Sequence, residues 1–421
     1  MVRLASFTAL FLSASLLLGG NGLFGTLIAV RGNLEAFSPT VIGLLGSVFF
    51  AGFIAGSIFA PRLITRAGHI RAFAATGAVY AVTALLHAML LEPWLWMLLR
   101  AIGGFCFAGL TLVLESWLNE RTPNTDRGRV LSVYRLVDLS SVTAGQLVLT
   151  VIDPRGFEIF SLIAILLCCS LVPLAMTRSP LPAPLQTPRL RLGRLIGVSP
   201  LGTMGVFSVG LVNGTFRTVA PIALLATAGG AGLSVAELAL VMSAFIAGGA
   251  MLQFPLGALS DRLPRRTVLI MTTLGAIAAG FAMAVATSTS PSAVIATSFL
   301  FGGFAIPIYS LSVAHANDMA EPDEFVEVAA GLFLVFGIGA MVGPAIGATV
   351  VTLFGSQALF YYTAVVHALF LGFTIYRIGR RPIPAGQDRP SFVGLIRTSP
   401  AIFKLDPRGH GRPAAKDDDE S

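Results

Sequence analysis

Long apolar runs, separated by short polar stretches, divide the chain into twelve segments of about 20 residues, the length that spans a bilayer. The predicted membrane-spanning helices lie near residues 5–30, 39–60, 72–91, 94–116, 130–151 and 157–176, and near 200–226, 235–258, 267–287, 292–314, 327–353 and 358–378. We place the starts of three of them at Ser-Pro pairs. Serine can cap the first turn of a helix, and proline fits the first helical position. These pairs are Ser38-Pro39, Ser199-Pro200 and Ser290-Pro291. The pattern predicts an all-α integral membrane protein.

The polar stretches between the runs indicate four parts. Residues 1–176 and 200–378 each hold six predicted helices, and we expect each set to form a six-helix bundle. Residues 177–199 combine prolines with arginines, which is typical of an extended cytoplasmic linker. Residues 379–421 form a polar tail, which we expect to be cytoplasmic and largely disordered. A segment resting on the membrane surface at residues 392–405 is the alternative.

The composition argues against several classes of protein. Hydrophobic residues make up 55% of the 421 residues and charged residues only 12%, whereas a typical soluble domain has about 25% charged residues. So few polar groups cannot cover a solvated surface, which speaks against a water-soluble enzyme, a disordered protein and a nucleic-acid-binding module. The formal net charge of +7 does not indicate a nucleic-acid partner, because most arginines lie in the gaps between apolar runs.

The positions of the arginines predict the orientation, since cytoplasmic loops of membrane proteins are enriched in basic residues. With a cytoplasmic N-terminus, the outside loops hold only Arg31 and Arg155, and the inside loops hold the arginine clusters. We therefore expect a multi-pass protein of the cytoplasmic (inner) membrane with both termini in the cytoplasm. The inside arginines are Arg62, Arg66, Arg71, Arg121, Arg127, Arg129, Arg178, Arg189, Arg191, Arg194, Arg262, Arg265 and Arg266.

The two sets of helices carry a weak internal repeat. Asn21-Gly22 in the first predicted helix matches Asn213-Gly214 in the seventh, and a phenylalanine and a threonine follow each pair at equal spacing. Parallel repeats of six helices are a transporter architecture, with the solute site near the membrane midplane between them. Further matches at a constant offset of 196 residues pair Ser38, Ser47, Phe49, Ala51, Gly52 and Arg66 with Ser234, Ser243, Phe245, Ala247, Gly248 and Arg262.

Several strings resemble motifs of the major facilitator superfamily. Residues 257–266 resemble its signature loop, and residues 61–70 form a degraded copy with Thr65 where the acid is usual. Arg100 with the glycines that follow it resembles the fourth-helix motif, and residues 115–129 resemble the YcaD-like branch. The resemblance covers roughly residues 5–378. It implies two six-helix bundles related by a pseudo-two-fold axis, and transport of a small solute.

Ionisable residues inside the predicted helices are few, and each is a functional candidate because a charge in hydrocarbon must be paired or hydrated. Arg135 and Asp138 are three residues apart on one helix face, so they form either a local ion pair or a proton-coupling site. Glu115 lies near the inner end of the fourth helix, where it could reach Arg135. We assign these three residues to proton coupling.

Arg217 has no acid within a helical turn, and it shares a helix face with Asn213. Asparagines at mid-span either hold helices together or bind a solute. Arg100 and Arg217 outnumber Asp138 in the expected cavity, which favours an anionic or zwitterionic solute. The predicted solute-binding residues are Asn21, Phe24, Arg100, Asn213, Phe216, Arg217 and Tyr309.

Three alternatives to such a carrier stay open. A multidrug exporter of cations would need an unpaired acid, and the Gly-Pro motif typical of drug–proton antiporters is missing from the fifth helix and has a counterpart at residues 337–347. A non-transporting membrane sensor is a second alternative. A membrane enzyme is the third, but the acidic cluster at 318–327 and the cysteines within apolar runs suit no metal site. We expect a monomeric, proton-coupled transporter that is not an enzyme and binds no metal or cofactor.

Charges at the cytoplasmic end predict a gate between the two bundles. Alternating access requires the bundles to close at one end while they open at the other. Arginines of the first bundle would meet acids at the start of the eleventh helix, and Asp261 would approach the start of the fifth. The predicted gate residues are Arg62, Arg66, Arg71, Asp261, Arg262, Arg265, Arg127, Arg129, Asp323, Glu324 and Glu327.

Overall fold

The computed structural model describes residues 7–176, 192–226, 232–321, 324–378 and 398–400, and the regular structure in these ranges is helical. The helices are α1 (Thr8–Leu34), α2 (Pro39–Ala67), α3 (His69–Met89), α4 (Pro93–Arg121), α5 (Arg127–Leu147), α6 (Glu158–Cys169), α7 (Leu171–Ala175), α8 (Leu192–Val198), α9 (Pro200–Leu225), α10 (Val235–Arg262), α11 (Arg265–Ala286), α12 (Pro291–Ala305), α13 (Pro307–Asn317), α14 (Phe325–Phe354) and α15 (Ala358–Ile378). Short 3-10 turns cover Asn124–Asp126 and Val148–Thr150.

Two predicted helices are interrupted, and one helix was not predicted. The segment predicted at 157–176 is divided into α6 and α7 at Ser170, and the segment at 292–314 into α12 and α13. The second break precedes Pro307, whose ring removes a backbone donor and kinks a helix. Within the predicted linker, the short helix α8 leads directly into α9. The division of the chain at 177–199 stays a prediction, because residues 177–191 lie outside the described ranges.

Eleven helical segments of the described ranges are long and apolar enough to cross a membrane. The fifth predicted span, α5, is not among them, because its 21 residues include three arginines and an aspartate. It nevertheless packs between α1 of the first bundle and α10 of the second. The polar residues of α5 suit this position between the bundles, because charged side chains there can face a hydrated space.

The serine caps predicted from the Ser-Pro pairs are present. The side chains of Ser38, Ser199 and Ser290 each accept a hydrogen bond from a backbone N–H three residues on, at 3.2–3.3 Å. Ser234, the repeat partner of Ser38, caps α10 in the same way and forms a capping box with Glu237. The first turns of helices at corresponding places in the two bundles are thus built alike.

Each bundle contains a glycine that brings two of its own helices into backbone contact, and the two contacts are equivalent. Gly52 in α2 lies against the carbonyl oxygen of Ala101 in α4, and Gly248 in α10 lies against that of Phe299 in α12. A methyl group at either glycine would overlap the facing oxygen. Because Gly52 and Gly248 are repeat partners, the internal repeat of the sequence corresponds to a repeated helix contact.

We expect Gly52→Ala to lower the midpoint of thermal unfolding in detergent by several degrees. The added methyl group cannot avoid a backbone atom, and such overpacking costs roughly 1–3 kcal/mol. Gly372→Ala in α15 is the matched control, because no heavy atom lies within 4 Å of the methyl group it would add. Equal midpoints for both variants and the parent protein would contradict this packing.

The two bundles meet along α2 and α14. The contact begins at the end of the molecule where α1 connects to α2. Thr40 and Thr352 bring their hydroxyl oxygens to 3.5 Å there. Further along the same helices, the rings of Phe53 and Phe333 lie with their centroids 5.5 Å apart. We call this the α1–α2 end, and the opposite end, at residues 122–126, the α4–α5 end.

Candidate functional site

A cavity lies between the two bundles, with α1, α2, α4 and α5 on one side and α9, α10 and α14 on the other. Its volume is about 1380 Å³, open solvent included. Phenylalanines and other apolar side chains form much of the wall, as in most small-molecule sites. The polar and charged lining residues are Asn21, Arg100, Arg135, Asp138, Gln146, Asn213, Arg217, Thr218 and Thr398.

Arg100 lies deep in this wall. Its guanidinium carbon is 4.1 Å from the centre of the Phe49 ring and 5.6 Å from that of Phe24. Such cation–π contacts offset part of the cost of burying the charge. The buried Nε of Arg100 has no hydrogen-bond partner among the described residues. Arg100 is therefore a cation whose charge the described part of the protein does not neutralise.

Arg217 faces the cavity from α9 and is exposed to it. Within the described ranges it forms no ion pair. Asn213, one turn earlier on the same helix, also lines the cavity, and its buried Nδ2 finds no partner in the described part of the chain. Two guanidinium groups and one amide thus offer donors to the same space, which is the donor set that binds a carboxylate or phosphate.

Asn21 has a partner that was not predicted. The hydroxyl of Tyr80 in α3 donates a 2.6 Å hydrogen bond to Asn21 Oδ1. Asn21 lines the cavity, but this bond also holds α1 to α3. The two asparagines of the repeat therefore differ: Tyr80 fixes Asn21, whereas the buried amide nitrogen of Asn213 has no partner among the described residues.

Arg135 and Asp138 form the ion pair that their spacing predicted, at 2.7 Å. Arg135 also donates a 3.1 Å hydrogen bond to Oε1 of Gln253 in α10, which connects the two bundles. Gln253 in turn donates to Ser310 in α13 at 3.3 Å. Gln253 is a functional candidate that the sequence analysis missed, although an amide in the middle of an apolar run was a usable signal.

Glu115 does not reach Arg135, contrary to one sequence-based expectation. It is completely buried in α4, and it accepts a 3.2 Å hydrogen bond from the Tyr134 hydroxyl of α5. The hydroxyls of Thr398 and Ser399 in the C-terminal tail also donate to its carboxylate. The wrong expectation has a geometric reason: Tyr134 and Arg135 are adjacent, so they point about 100° apart around α5.

Three residues predicted to bind the solute do not line the cavity. Phe24 packs against Tyr80, and Phe216 stacks on Phe245 with ring centroids 4.3 Å apart. Tyr309 is buried against Phe336, with centroids 5.4 Å apart. In each case a residue beside it lines the cavity instead: Phe245 does so beside Phe216, and Phe336 beside Tyr309. The prediction that these three residues bind the solute directly is therefore wrong in this structure. They pack behind the residues that line the cavity.

Among the predicted gate charges at the α4–α5 end, Glu324 does not form the pair predicted for it. Glu324 pairs with Arg194 of α8 rather than with an arginine of the first bundle. Arg265 binds Asp318 at 2.5 Å and lies 3.8 Å from Asp261. Among the described residues, Arg62, Arg66 and Arg71 meet no acid, and Asp323 lies outside the described ranges.

Comparisons with known proteins agree with this architecture. The sequence model described as "Major Facilitator Superfamily" matches twice, over residues 10–222 and 202–406. The "Uncharacterized MFS-type transporter YcaD" of Salmonella typhi is 25% identical over 365 residues, which cover 84% of this chain and 91% of that protein.

Solved transporter structures share the fold. The nucleoside transporter NupG has 13% sequence identity and a TM-score of 0.76, covering 89% of this chain and all of that chain. A bacterial homologue of the human lysosomal transporter Spinster, in an inward-facing and occupied conformation, has 16% identity and a TM-score of 0.73, covering 91% of this chain and all of that chain. With two helical bundles around a central cavity that has charged residues in its wall, and a family match along most of its length, the chain belongs to the major facilitator superfamily of membrane transporters and resembles its YcaD-like members.

Proposed function

We propose that this protein is a secondary active transporter that moves a small anionic or zwitterionic solute across the cytoplasmic membrane. The observation that carries the proposal is the charge of the cavity wall. Arg100 and Arg217 line it without an acidic partner in the described ranges, whereas the lining carboxylate, Asp138, is paired with Arg135. A solute that brings its own negative charge would complete the site.

Alternating access is supported by the contacts between the bundles. The two threonines and two phenylalanines of α2 and α14 hold the bundles together from the α1–α2 end to the middle. The repeated glycine contacts within each bundle favour movement of each bundle as a rigid body. With both termini in the cytoplasm, as the arginine pattern predicts, the cavity would face the cytoplasmic side in this state.

Proton coupling is supported by the position of Asp138. A carboxylate that lines the cavity and holds Arg135 can change the charge of the pair when it takes up a proton. Arg135 also donates a hydrogen bond to Gln253 across the interface between the bundles. A change in the charge of Asp138 would therefore also affect this contact between the bundles. Glu115 remains a second proton-site proposal.

Uptake by proteoliposomes tests the proposed function. Purified protein would be reconstituted, and labelled carboxylates, amino acids and sugar phosphates would be offered with and without an inward-directed proton gradient. We expect saturable accumulation of an anionic or zwitterionic compound above that of protein-free vesicles. Transport of cationic dyes alone would favour a drug exporter, and binding without transport would favour a sensor.

The cytoplasmic gate is a separate prediction for the opposite state of the cycle. We expect Arg66→Glu to slow transport, and Glu324→Arg in the same chain to restore part of the rate. Each exposed ion pair contributes at most about 1 kcal/mol, so the effect of a single change is expected to be a few-fold. Glu324→Arg alone is the control, since it also breaks the pair with Arg194. A double variant no faster than either single variant would contradict the gate.

A further inference from the structure

A short piece of the C-terminal tail lies buried inside the transporter. Of residues 379–421, the structure describes only 398–400, and there Thr398 and Ser399 are 7% and 1% exposed. The backbone carbonyl of Thr398 accepts a 2.9 Å hydrogen bond from the Thr111 hydroxyl of α4. The hydroxyls of Thr398 and Ser399 both donate to the carboxylate of Glu115, one to each oxygen.

The partners of this segment form a site whose chemistry matches it. A buried carboxylate is unfavourable unless hydrogen-bond donors surround it. Glu115 is completely buried; two donors to its carboxylate come from the tail, and a third is the hydroxyl of Tyr134. The adjacent hydroxyl groups of the segment fit a two-oxygen acceptor, and the Thr111 hydroxyl donates to the carbonyl between them.

The site lies where a solute must pass. Thr398 lines the central cavity together with Arg135 and Asp138, and the bundles are in contact at the α1–α2 end. Glu115 and Tyr134 are near the ends of α4 and α5 that join at residues 122–126. The segment therefore stands between the cavity and the α4–α5 end.

We propose that Glu115, Thr111 and Tyr134 form a binding site for the chain's own segment 398–400, and that the bound segment is a plug that restricts entry to the central cavity from the α4–α5 end. The plug must leave Glu115 before a solute or a water-soluble reagent enters freely. A transporter without the segment has a permanently accessible cavity in this conformation. This inference does not depend on the identity of the solute.

Thiol labelling of purified protein in detergent tests the plug. Cys106, Cys168 and Cys169 would be replaced by alanine, and Leu139→Cys would place a single thiol in the cavity wall. The probe is a small, negatively charged methanethiosulfonate. Two truncated chains are compared with the full chain: one ends at residue 391 and lacks the plug, and the other ends at residue 407 and keeps it.

We expect the chain ending at 391 to label about tenfold faster than the full chain, as for an entrance that changes from mostly closed to mostly open. The chain ending at 407 should label like the full chain, because it retains residues 398–400. A thiol at the exposed position Ser292, at the other end of the molecule, should label equally in all three. Equal labelling of Leu139→Cys in the three chains would overturn the plug.

A full-length variant keeps the test valid if the shortened chain is unstable. Thr398→Val with Ser399→Ala removes both donors to Glu115 and leaves the length of the tail unchanged. We expect it to label at the rate of the chain ending at 391. Thr111→Val removes the bond to the Thr398 carbonyl, together with bonds to backbone oxygens of α4 itself, and leaves both donors to Glu115 in place. Its labelling rate should lie between the two. If the double substitution leaves the labelling rate unchanged, the segment does not close the cavity, whatever the transport assays show.

Discussion

Replacing Arg217 with alanine is expected to abolish transport of the anionic solute. In the described ranges Arg217 has no ion-pair partner, so its charge is free to bind a ligand facing the cavity. Loss of one member of a buried, hydrogen-bonded charge pair costs about 2–5 kcal/mol, which is at least about 30-fold in affinity. Arg217→Lys keeps the charge without the planar donor fork and should retain part of the binding.

Counterflow exchange in proteoliposomes measures this effect at saturating and limiting solute. Arg377→Ala at the end of α15 is the matched control, because Arg377 is another arginine and does not line the cavity. Thermal unfolding in the absence of solute would establish that each variant is folded. Exchange by folded Arg217→Ala at the parent rate would exclude Arg217 from the solute site.

Asp138→Asn is expected to abolish accumulation driven by a pH gradient while sparing solute exchange. The asparagine can still accept a hydrogen bond from Arg135, but it can no longer take up a proton. Exchange does not require net proton movement, so it should continue. The readout is accumulation with and without an imposed gradient in the same vesicles.

A double variant separates proton coupling from simple charge neutralisation. Removing one member of a buried ion pair is destabilising by about 3–5 kcal/mol, whereas removing both is often tolerated. Arg135→Gln with Asp138→Asn should therefore be more stable than Asp138→Asn and still be uncoupled. If the double variant accumulates solute in response to a pH gradient, Asp138 is a structural counter-ion and the coupling residue lies elsewhere.

The helices and the site were not equally predictable from the sequence. Apolar run length and Ser-Pro caps predicted the helices, because a bilayer restricts both their length and their backbone. The pairing of Arg135 with Asp138 was also predictable, since it depends on spacing within one helix. Asn213 and Arg217 face the same space for the same local reason.

Contacts between distant parts of the chain were not predictable in this way. The bonds from Tyr80 to Asn21 and from Arg135 to Gln253 depend on the rotation of each helix about its axis, which a single sequence determines poorly. An error of one residue, about 100°, separates the buried Phe216 from Arg217. Two of the donors to Glu115, Thr398 and Ser399, lie more than 280 residues away along the chain and could not be inferred from spacing.

We expect the cavity to recognise a negative charge through Arg100 and Arg217. The most direct measurement is thermal stabilisation of the purified protein by matched pairs of compounds, in which each carboxylate is compared with its own primary amide. We predict that at least one carboxylate raises the unfolding midpoint and that its amide does not. The shift should disappear in Arg217→Ala and in Arg100→Ala but not in Arg377→Ala. Equal stabilisation by an acid and its amide, or a carboxylate shift that survives in Arg217→Ala, would contradict it.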